Sequence, residues 1–486
     1  MKRILAFVFG VAGGAMVPPL LASLLYGEGW RCVAAWLAPL AGAWLAAALL
    51  AFRRTGREGG ENAVASLDAR GAFRLVGGIW VAMGLFGALP LFLSGAFPSF
   101  TDAVFESVSG FTTTGASVCC DVEGLPRSIN LWRCMTHWLG GMGVIALAVA
   151  LVPLLGVGGF RLIKAETTGP EKGRVTPRIA DTARALWRIY AALTVLQTIL
   201  LRFAGLGWFD AICHAFSTLG TGGFSTRNAS LAAFDNPAAD WICTIFMLMA
   251  TVNFALYYRL LTRRFNDVRR DSELRAFLAI VAAAIAIVAG VELADYAAPA
   301  DALRHSAFQV ASVISTTGFM TADYAAWAPA AQLVLFALFF VGGCSGSTAG
   351  GIKVIRWTIL AKQLRSEFRR ILHPREVVTL RINGAPARDE IVQAVAAFVF
   401  LYLALVLAAA FSASLAGLGL VEALSAALSM AGNIGPAFGS LGPTANYSAI
   451  PGALKWAFSF TMLAGRLEIF TILFLFGPAK TPSRAL

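Results

Sequence analysis

A chain of 486 residues that is 58% hydrophobic and 14% charged, with a mean hydropathy of +0.71, is no ordinary soluble domain, because such domains carry about 25% charged residues. Its formal net charge of +12 would suit nucleic acid if the cations formed one patch. They gather instead in 53–74, 161–188, 259–275 and 353–388, between long apolar runs, which is the positive-inside pattern of a polytopic membrane protein and excludes a nucleic-acid binder.

The chain opens with two apolar segments, about 4–26 and 31–52. The first is too long for a leader's apolar core and lacks a small-x-small cleavage site, so it is expected to stay as a membrane helix. A basic, Gly-containing connection then runs to about residue 70. From there one unit recurs four times: a long apolar helix, a short amphipathic helix, a polar Gly-containing stretch, and a second long helix. The long helices are expected to pair as 72–94 with 131–155, 182–204 with 239–262, 274–296 with 329–360, and 389–416 with 453–477. Two opening helices and four pairs give ten crossings, with both termini and all basic connections on one side. The chain divides into 1–70, two N-terminal helices and a basic linker; 71–160, the first repeat; 161–265, a linker and the second; 266–362, the third; and 363–486, a linker and the fourth.

The short elements end in "SGFTTTG" (109–115), "STLGTGG" (217–223), "SVISTTG" (312–318) and "SMAGNIG" (429–435). Each begins with Ser and ends with Gly, and the glycines are spaced by 108, 95 and 117 residues. Asp102, Asp210 and Glu422 each stand thirteen residues before their glycine, where the third repeat has His305. A helix of 12–15 residues cannot cross a bilayer, which takes roughly 20. It must re-enter by the face it came from, and irregular backbone at that depth is tolerated only in protein or beside a watery cavity. Four such hairpins around one axis would aim their partly negative helix ends at a shared cavity, where a cation is favoured. Past each helix, glycine permits close approach and positive φ, so carbonyls of four strands can replace the water around a monovalent cation. Thr113, Thr221, Thr316 and Asn433 occupy equivalent places as braces. The competing reading makes each glycine a simple helix cap with polar residues in an outer loop.

Two further features lie in the inner half. "VGGCSGSTAGGIK" (341–353) breaks the second helix of repeat three with Gly342, Gly343, Gly346, Gly350 and Gly351. Glycine at that density disfavours helix by roughly 1 kcal/mol per residue, although small residues also serve tight helix packing. Arg466 stands eleven residues from Lys455 and eleven from Gly477, too deep for snorkelling, and is a functional candidate or half of an interhelical ion pair. Glu468, two positions on, does not share its helical face. Glu106, His137, His214 and His305 read as polar groups of the short helices or the interface. Cys119 and Cys120 are adjacent, poorly placed for a structural disulfide. Cys32, Cys134, Cys213, Cys243 and Cys344 read as small packed hydrophobes. No zinc motif, P-loop or dinucleotide fingerprint is present, and nothing points to an enzyme.

The four stretches, with "GGCSGSTAGGIKVIR" (342–356) and "AGRLEIF" (464–470), resemble the Trk/Ktr/HKT superfamily of potassium transporters. The likeness runs end to end and is nearest the TrkH-type membrane subunit of the Trk branch, through "WLGGMGVIALAVALVP" (138–153) and "KAETTGPEKGRVTPRIADTAR" (164–184). The resemblance implies an all-α polytopic fold, with two extra helices before four pseudo-symmetric helix–pore-loop–helix repeats. It implies a potassium filter at Thr113, Thr114 and Gly115; Thr221, Gly222 and Gly223; Thr316, Thr317 and Gly318; and Asn433, Ile434 and Gly435. It also implies an intramembrane gating loop at 341–353 and Arg466 as an electrostatic barrier below the filter. In plant relatives a Ser in place of the first-repeat glycine goes with sodium preference, so Gly115 implies the potassium type. Ala437 departs from the Gly frequent in Trk relatives and leaves the axis glycine intact. The implied setting is the bacterial inner membrane, with both termini cytoplasmic and the chain a homodimer among membrane lipids. A separate TrkA-type regulatory ring would bind NAD or ATP, and this chain would hold no cofactor beyond the transported K+. The alternative is a sodium-coupled or sodium-permeable Ktr/HKT-like transporter.

Overall fold

The computed structural model describes residues 2–52, 69–151, 179–374, 381–382, 385–386 and 389–469. Most of the linkers 53–74 and 161–188 and the C-terminal "KTPSRAL" lie outside these residues, as does part of 353–388. The opening segment is two helices, α1 (Lys2–Ala15) and α2 (Val17–Leu25), parted at Met16 where Pro enters the first turn of α2. Proline suits that place because its missing N–H has no helical partner there. Helix α3 (Trp30–Phe52) folds back against α1.

Repeat one is α4 (Ala69–Leu93), the short α5 (Phe100–Phe111) and α6 (Arg127–Leu151). Repeat two is α7 (Ile179–Phe203), the short α8 (Trp208–Gly220), and a broken pair, α9 (Pro237–Thr251) and α10 (Phe254–Leu261). A surface helix α11 (Phe265–Arg270) leads to repeat three: α12 (Ser272–Glu292), the short α13 (Pro299–Ile314), α14 (Pro329–Leu338) and α15 (Val354–Leu372). Two paired two-residue strands, β1 (Arg381–Ile382) and β2 (Ala385–Pro386), precede repeat four. That repeat is α16 (Asp389–Leu415), the short α17 (Leu420–Gly432) and α18 (Gly452–Arg466).

The repeats follow one another round a ring. Helix α6 packs on α8 of repeat two, α9 on α13 of repeat three, and α18 on α5 of repeat one. One apolar core joins Trp36, Phe105, Phe111 and Trp132 to Met430 and Phe458, so repeat four closes onto repeat one. Half-buried ion pairs reinforce two seams: Lys455 to Asp102 at 2.6 Å and Arg304 to Asp240 at 3.2 Å. Among the described residues, five helices are long and apolar enough to cross a membrane, namely α3 and the first helix of each repeat. The bent pair α9 and α10 passes the same test when the two are taken together.

Three expectations need correction. The second helix of repeat two is not one continuous helix: α9 and α10 meet at 94°. Val252 is extended, and the Asn253 side chain caps α10 through the Ala255 N–H. The carbonyls freed by the bend, Ala250 and Thr251, accept the N–H groups of Thr348 and Cys344 from repeat three. The third short helix begins one turn earlier than its siblings and is 16 residues long. His305 therefore does not hold the acidic place; Asp301 does, and all four short helices carry their acid, Asp102, Asp210, Asp301 or Glu422, as third residue, where the helix dipole favours it. Finally, the helix expected over 453–477 is interrupted after Arg466, with Ile469 helical again, and its part beyond 469 lies outside the described residues.

Candidate functional site

Each short helix stops by the same bonds. The N–H groups of Thr114, Gly222, Thr317 and Ile434 reach back to the carbonyls of Ser109, Ser217, Ser312 and Ser429 at 2.8, 2.8, 2.9 and 2.9 Å. Those of Thr113, Thr221, Thr316 and Asn433 bond Gly110, Thr218, Val313 and Met430 at 3.0, 3.0, 3.0 and 3.4 Å. This pair of bonds is the Schellman stop, built on a left-handed residue just past the helix. That residue is Thr113 (φ 54°), Thr221 (55°), Thr316 (56°) or Asn433 (56°), two places before the glycine. The glycines are therefore not the helix caps. Three of the four positions hold a β-branched residue, for which positive φ is a genuine outlier, and strain of about 1–3 kcal/mol per residue gathers at functional sites.

The glycines are left-handed a second time, with φ of 79°, 84°, 80° and 102° at Gly115, Gly223, Gly318 and Gly435. The residue between the two is not left-handed. A backbone alternating in this way collects N–H groups on one edge and leaves its carbonyls on the other. A Cβ on Gly115 would run into the carbonyl oxygen of Gly222; on Gly223, into Thr317; on Gly318, into Ile434; on Gly435, into that of Thr114. Each glycine thus faces the carbonyl just before the glycine of the next repeat, and the fourth returns to the first. The twelve expected residues are brought together as one ring. A cavity of about 160 Å³ opens above it, lined by all four glycines with Arg133, Asn228 and Tyr447 among its walls.

What holds this ring was largely missed in the sequence. Glu106, His214 and Gln309 each stand nine residues before their glycine, and Ser425 stands ten before. Each ties down the strand that follows. Glu106 accepts from Ser117 Oγ and Val118 N–H, both at 2.9 Å; His214 Nε2 meets Ser225 Oγ at 2.9 Å. Gln309 donates to the Ala322 carbonyl at 2.9 Å, and Ser425 accepts from Phe438 N–H at 3.1 Å. His305 adds a bond from Nδ1 to Thr321 Oγ1 at 3.0 Å. Asn433 donates to Thr114 Oγ1 at 3.0 Å, linking repeats four and one, while its Oδ1 and Thr113 Oγ1 are buried without a partner among the described residues. At the outer rim, outside the spans, bonds from the Asn228 side chain and the Gly124 N–H hold the Asp121 carboxyl below its ordinary range. The one signal available beforehand was the offset of nine residues from the glycine that Glu106, His214 and Gln309 share.

On the other side of the ring, residues 339–353 are irregular, with Gly346 and Gly351 left-handed. The segment is docked rather than loose. Glu273 accepts the N–H groups of Ser345 at 2.7 Å and Ile355 at 3.1 Å, fixing both ends, and Lys353 turns back to the Ala349 carbonyl. Gly350 N–H donates to Thr316 Oγ1 at 2.8 Å, and a Cβ on Gly350 would meet the Gly432 carbonyl. The loop therefore touches repeats two, three and four directly below the glycine-bearing strands. Arg466 is 5% exposed and donates to the Thr348 carbonyl at 2.6 Å; its other nitrogen is 3.5 Å from the Gly140 carbonyl. Arg466, on repeat four, thereby bridges its two neighbours in the ring, the loop of repeat three and α6 of repeat one. The ion-pair reading of Arg466 fails among the described residues, for its partners are carbonyls. Glu468, just past the helix end, pairs with Arg356 at 2.8 Å. Cys119 and Cys120 are free thiols at the cavity wall, and the other five cysteines are buried.

Known proteins carry the same architecture. The family model described as TrkH, a cation transport protein, matches residues 45–484. The Trk system potassium uptake protein TrkH of Halomonas elongata is 42% identical over 484 residues, covering 98% of each chain. Its counterpart in Escherichia coli strain K12 is 37% identical over 483 residues, again with 98% of each covered. The crystal structure of the potassium transporter TrkH from Vibrio parahaemolyticus matches with a TM-score of 0.87 at 34% identity, over 98% of both chains. Sequence and fold agree over nearly the full length, and this chain belongs to the TrkH family of cation transport proteins.

Proposed function

We propose that this chain is the membrane subunit of a Trk-type potassium uptake system and passes K+ through the glycine–carbonyl ring. The observation that carries this reading is the ring's closure, in which every axis glycine faces a carbonyl of the next repeat. Main-chain oxygens of Thr113 and Thr114, Thr221 and Gly222, Thr316 and Thr317, and Asn433 and Ile434 would replace the hydration shell of the ion. A membrane potential, negative inside, supplies about 2.3 kcal/mol per charge per 100 mV, or roughly 50-fold accumulation. Uptake then needs no proton or sodium coupling. The loop 341–353 and Arg466 close the inner side, the loop as gate and the guanidinium as a charge the cation must pass.

In this reading the protein sits in a bacterial inner membrane with both termini cytoplasmic, as a homodimer. A separate TrkA-type ring carries the regulating nucleotide, NAD or ATP, and moves the gate. Expression in bacteria lacking their own potassium uptake should restore growth at limiting potassium and drive rubidium influx that sodium competes against poorly. Sodium competing as well as rubidium would replace this reading by the sodium-permeable one. Arg466→Ala should raise rubidium influx about tenfold, the effect of removing roughly 1.4 kcal/mol of barrier, and should weaken its response to membrane potential.

A further inference from the structure

Repeat two lacks a support that repeats one and three possess. In repeat one Thr112 Oγ1 and Thr114 Oγ1 are 2.8 Å apart, and in repeat three Ser315 Oγ and Thr317 Oγ1 are 2.7 Å apart. This hydroxyl pair stands at the third and first residues before the axis glycine and stiffens the turn whose carbonyls face the axis. Repeat two has Gly220 and Gly222 in those places and so has no side chain to offer.

The missing volume is filled from another repeat. His137, on α6 of repeat one, is fully buried. A Cβ on Gly222 would fall onto its imidazole, and one on Gly220 would meet its backbone. The ring is also fixed at both nitrogens. Nδ1 lies 2.9 Å from the Gly110 carbonyl in the last turn of α5, and Nε2 accepts the Phe224 N–H, one residue past Gly223, at 3.2 Å. A carbonyl can only accept and an amide N–H only donate, so these partners assign the proton to Nδ1. The imidazole further lies against the Phe224 ring, with centroids 4.2 Å apart. One neutral side chain thereby joins the helix end of repeat one to both flanks of the repeat-two filter.

We propose that His137 is a specificity-determining positioning residue, standing in for the absent hydroxyl pair and holding the Gly222 carbonyl at the distance a potassium-sized ion requires. This rests on the potassium reading above. The Gly222–Gly223 strand has no side chain of its own at the first position before the axis, so its carbonyl is the one most free to close on a smaller ion if the imidazole is removed.

The test is rubidium influx against sodium influx in potassium-uptake-deficient bacteria expressing the full chain. With His137→Ala, the rubidium-over-sodium preference should fall about tenfold, the weight of roughly one net hydrogen bond at a site where small displacements are read directly. His137→Gln, whose amide offers one donor and one acceptor, should stay within about threefold of wild type. Gly222→Thr alone should lose uptake, since the new side chain meets the imidazole. The double variant His137→Ala with Gly222→Thr should regain preference, because repeat two then carries the residue found at this position in repeats one and three. Wild-type preference in His137→Ala, or a His137→Gln protein that is as unselective as the alanine variant, overturns the proposal. Should His137→Ala fail to reach the membrane, His137→Gln and the double variant decide: both selective supports it, neither selective overturns it. A wild-type chain without rubidium preference would sink the potassium reading first and this inference with it.

Discussion

Gly223→Ser is expected to lower rubidium uptake by between about fivefold and 150-fold while leaving the protein in the membrane. The residue sits at φ 84°, and its Cβ would strike the Thr317 carbonyl oxygen of the next repeat. Both effects act on the same strand. A non-glycine residue in left-handed backbone, added to the strain already held at Thr221, costs about 1–3 kcal/mol at a site of this kind, and each 1.4 kcal/mol is a factor of ten. Relief can come only by tilting the strand, which carries the Gly222 and Thr317 carbonyls out of register. Gly290, in α12, is the control: nothing lies within 4 Å of the Cβ it would gain. Gly290→Ser should therefore leave rubidium uptake unchanged. Equal, small losses in both variants, measured by uptake at limiting potassium, would mean that the ring is scaffold and not passage.

The contrast between these two glycines also marks what the sequence reveals. The Ser-to-Gly stretches are legible because four copies share one spacing pattern, and a polar turn between two apolar spans has few homes in a bilayer. The interrupted segment near 342–351 is legible for the same reason, since five glycines cannot make a stable span. By contrast, the left-handed Thr113, Thr221 and Thr316 are hidden, because intrinsic preference argues against threonine at positive φ and only the surrounding ring imposes it. The bend between α9 and α10 is equally hidden. Nothing in "MLMATVNFALYY" breaks a helix by itself; the bend is stabilised by amides of a loop about 95 residues away in the chain. The early start of α13 follows a similar logic, since Pro299 and Asp301 are good first-turn residues but lie outside the window shared by the other three repeats. Arg133 and His137 sit on a helix whose outward appearance is that of an ordinary polar-faced span, and their roles depend on partners drawn from other elements.

Arg133 supplies the second large effect. It forms a 2.7 Å ion pair with Glu106, with both side chains no more than 2% exposed. Its remaining donors reach Asn130 Oδ1 at 3.1 Å, the Ser225 carbonyl at 3.4 Å and Ser117 Oγ at 3.1 Å. Its guanidinium carbon also lies 4.3 Å from the centre of the Phe224 ring. Glu106→Ala leaves that cation buried and unpaired, which costs about 3–5 kcal/mol, so its thermal unfolding in detergent should shift markedly downward. Replacing both partners by apolar residues of similar volume, Glu106→Leu with Arg133→Met, removes the orphaned charge, and such exchanges are often neutral or stabilising. Stability should then return. Transport should not, because the Ser117 hydroxyl and the Val118 N–H lose the carboxylate that fixes the strand just beyond Gly115. A pair that serves only packing would recover both together. Recovery of melting temperature without recovery of transport is the outcome that assigns the pair a role in holding the ring, since the strand beyond Gly115 has then lost the carboxylate that fixes it.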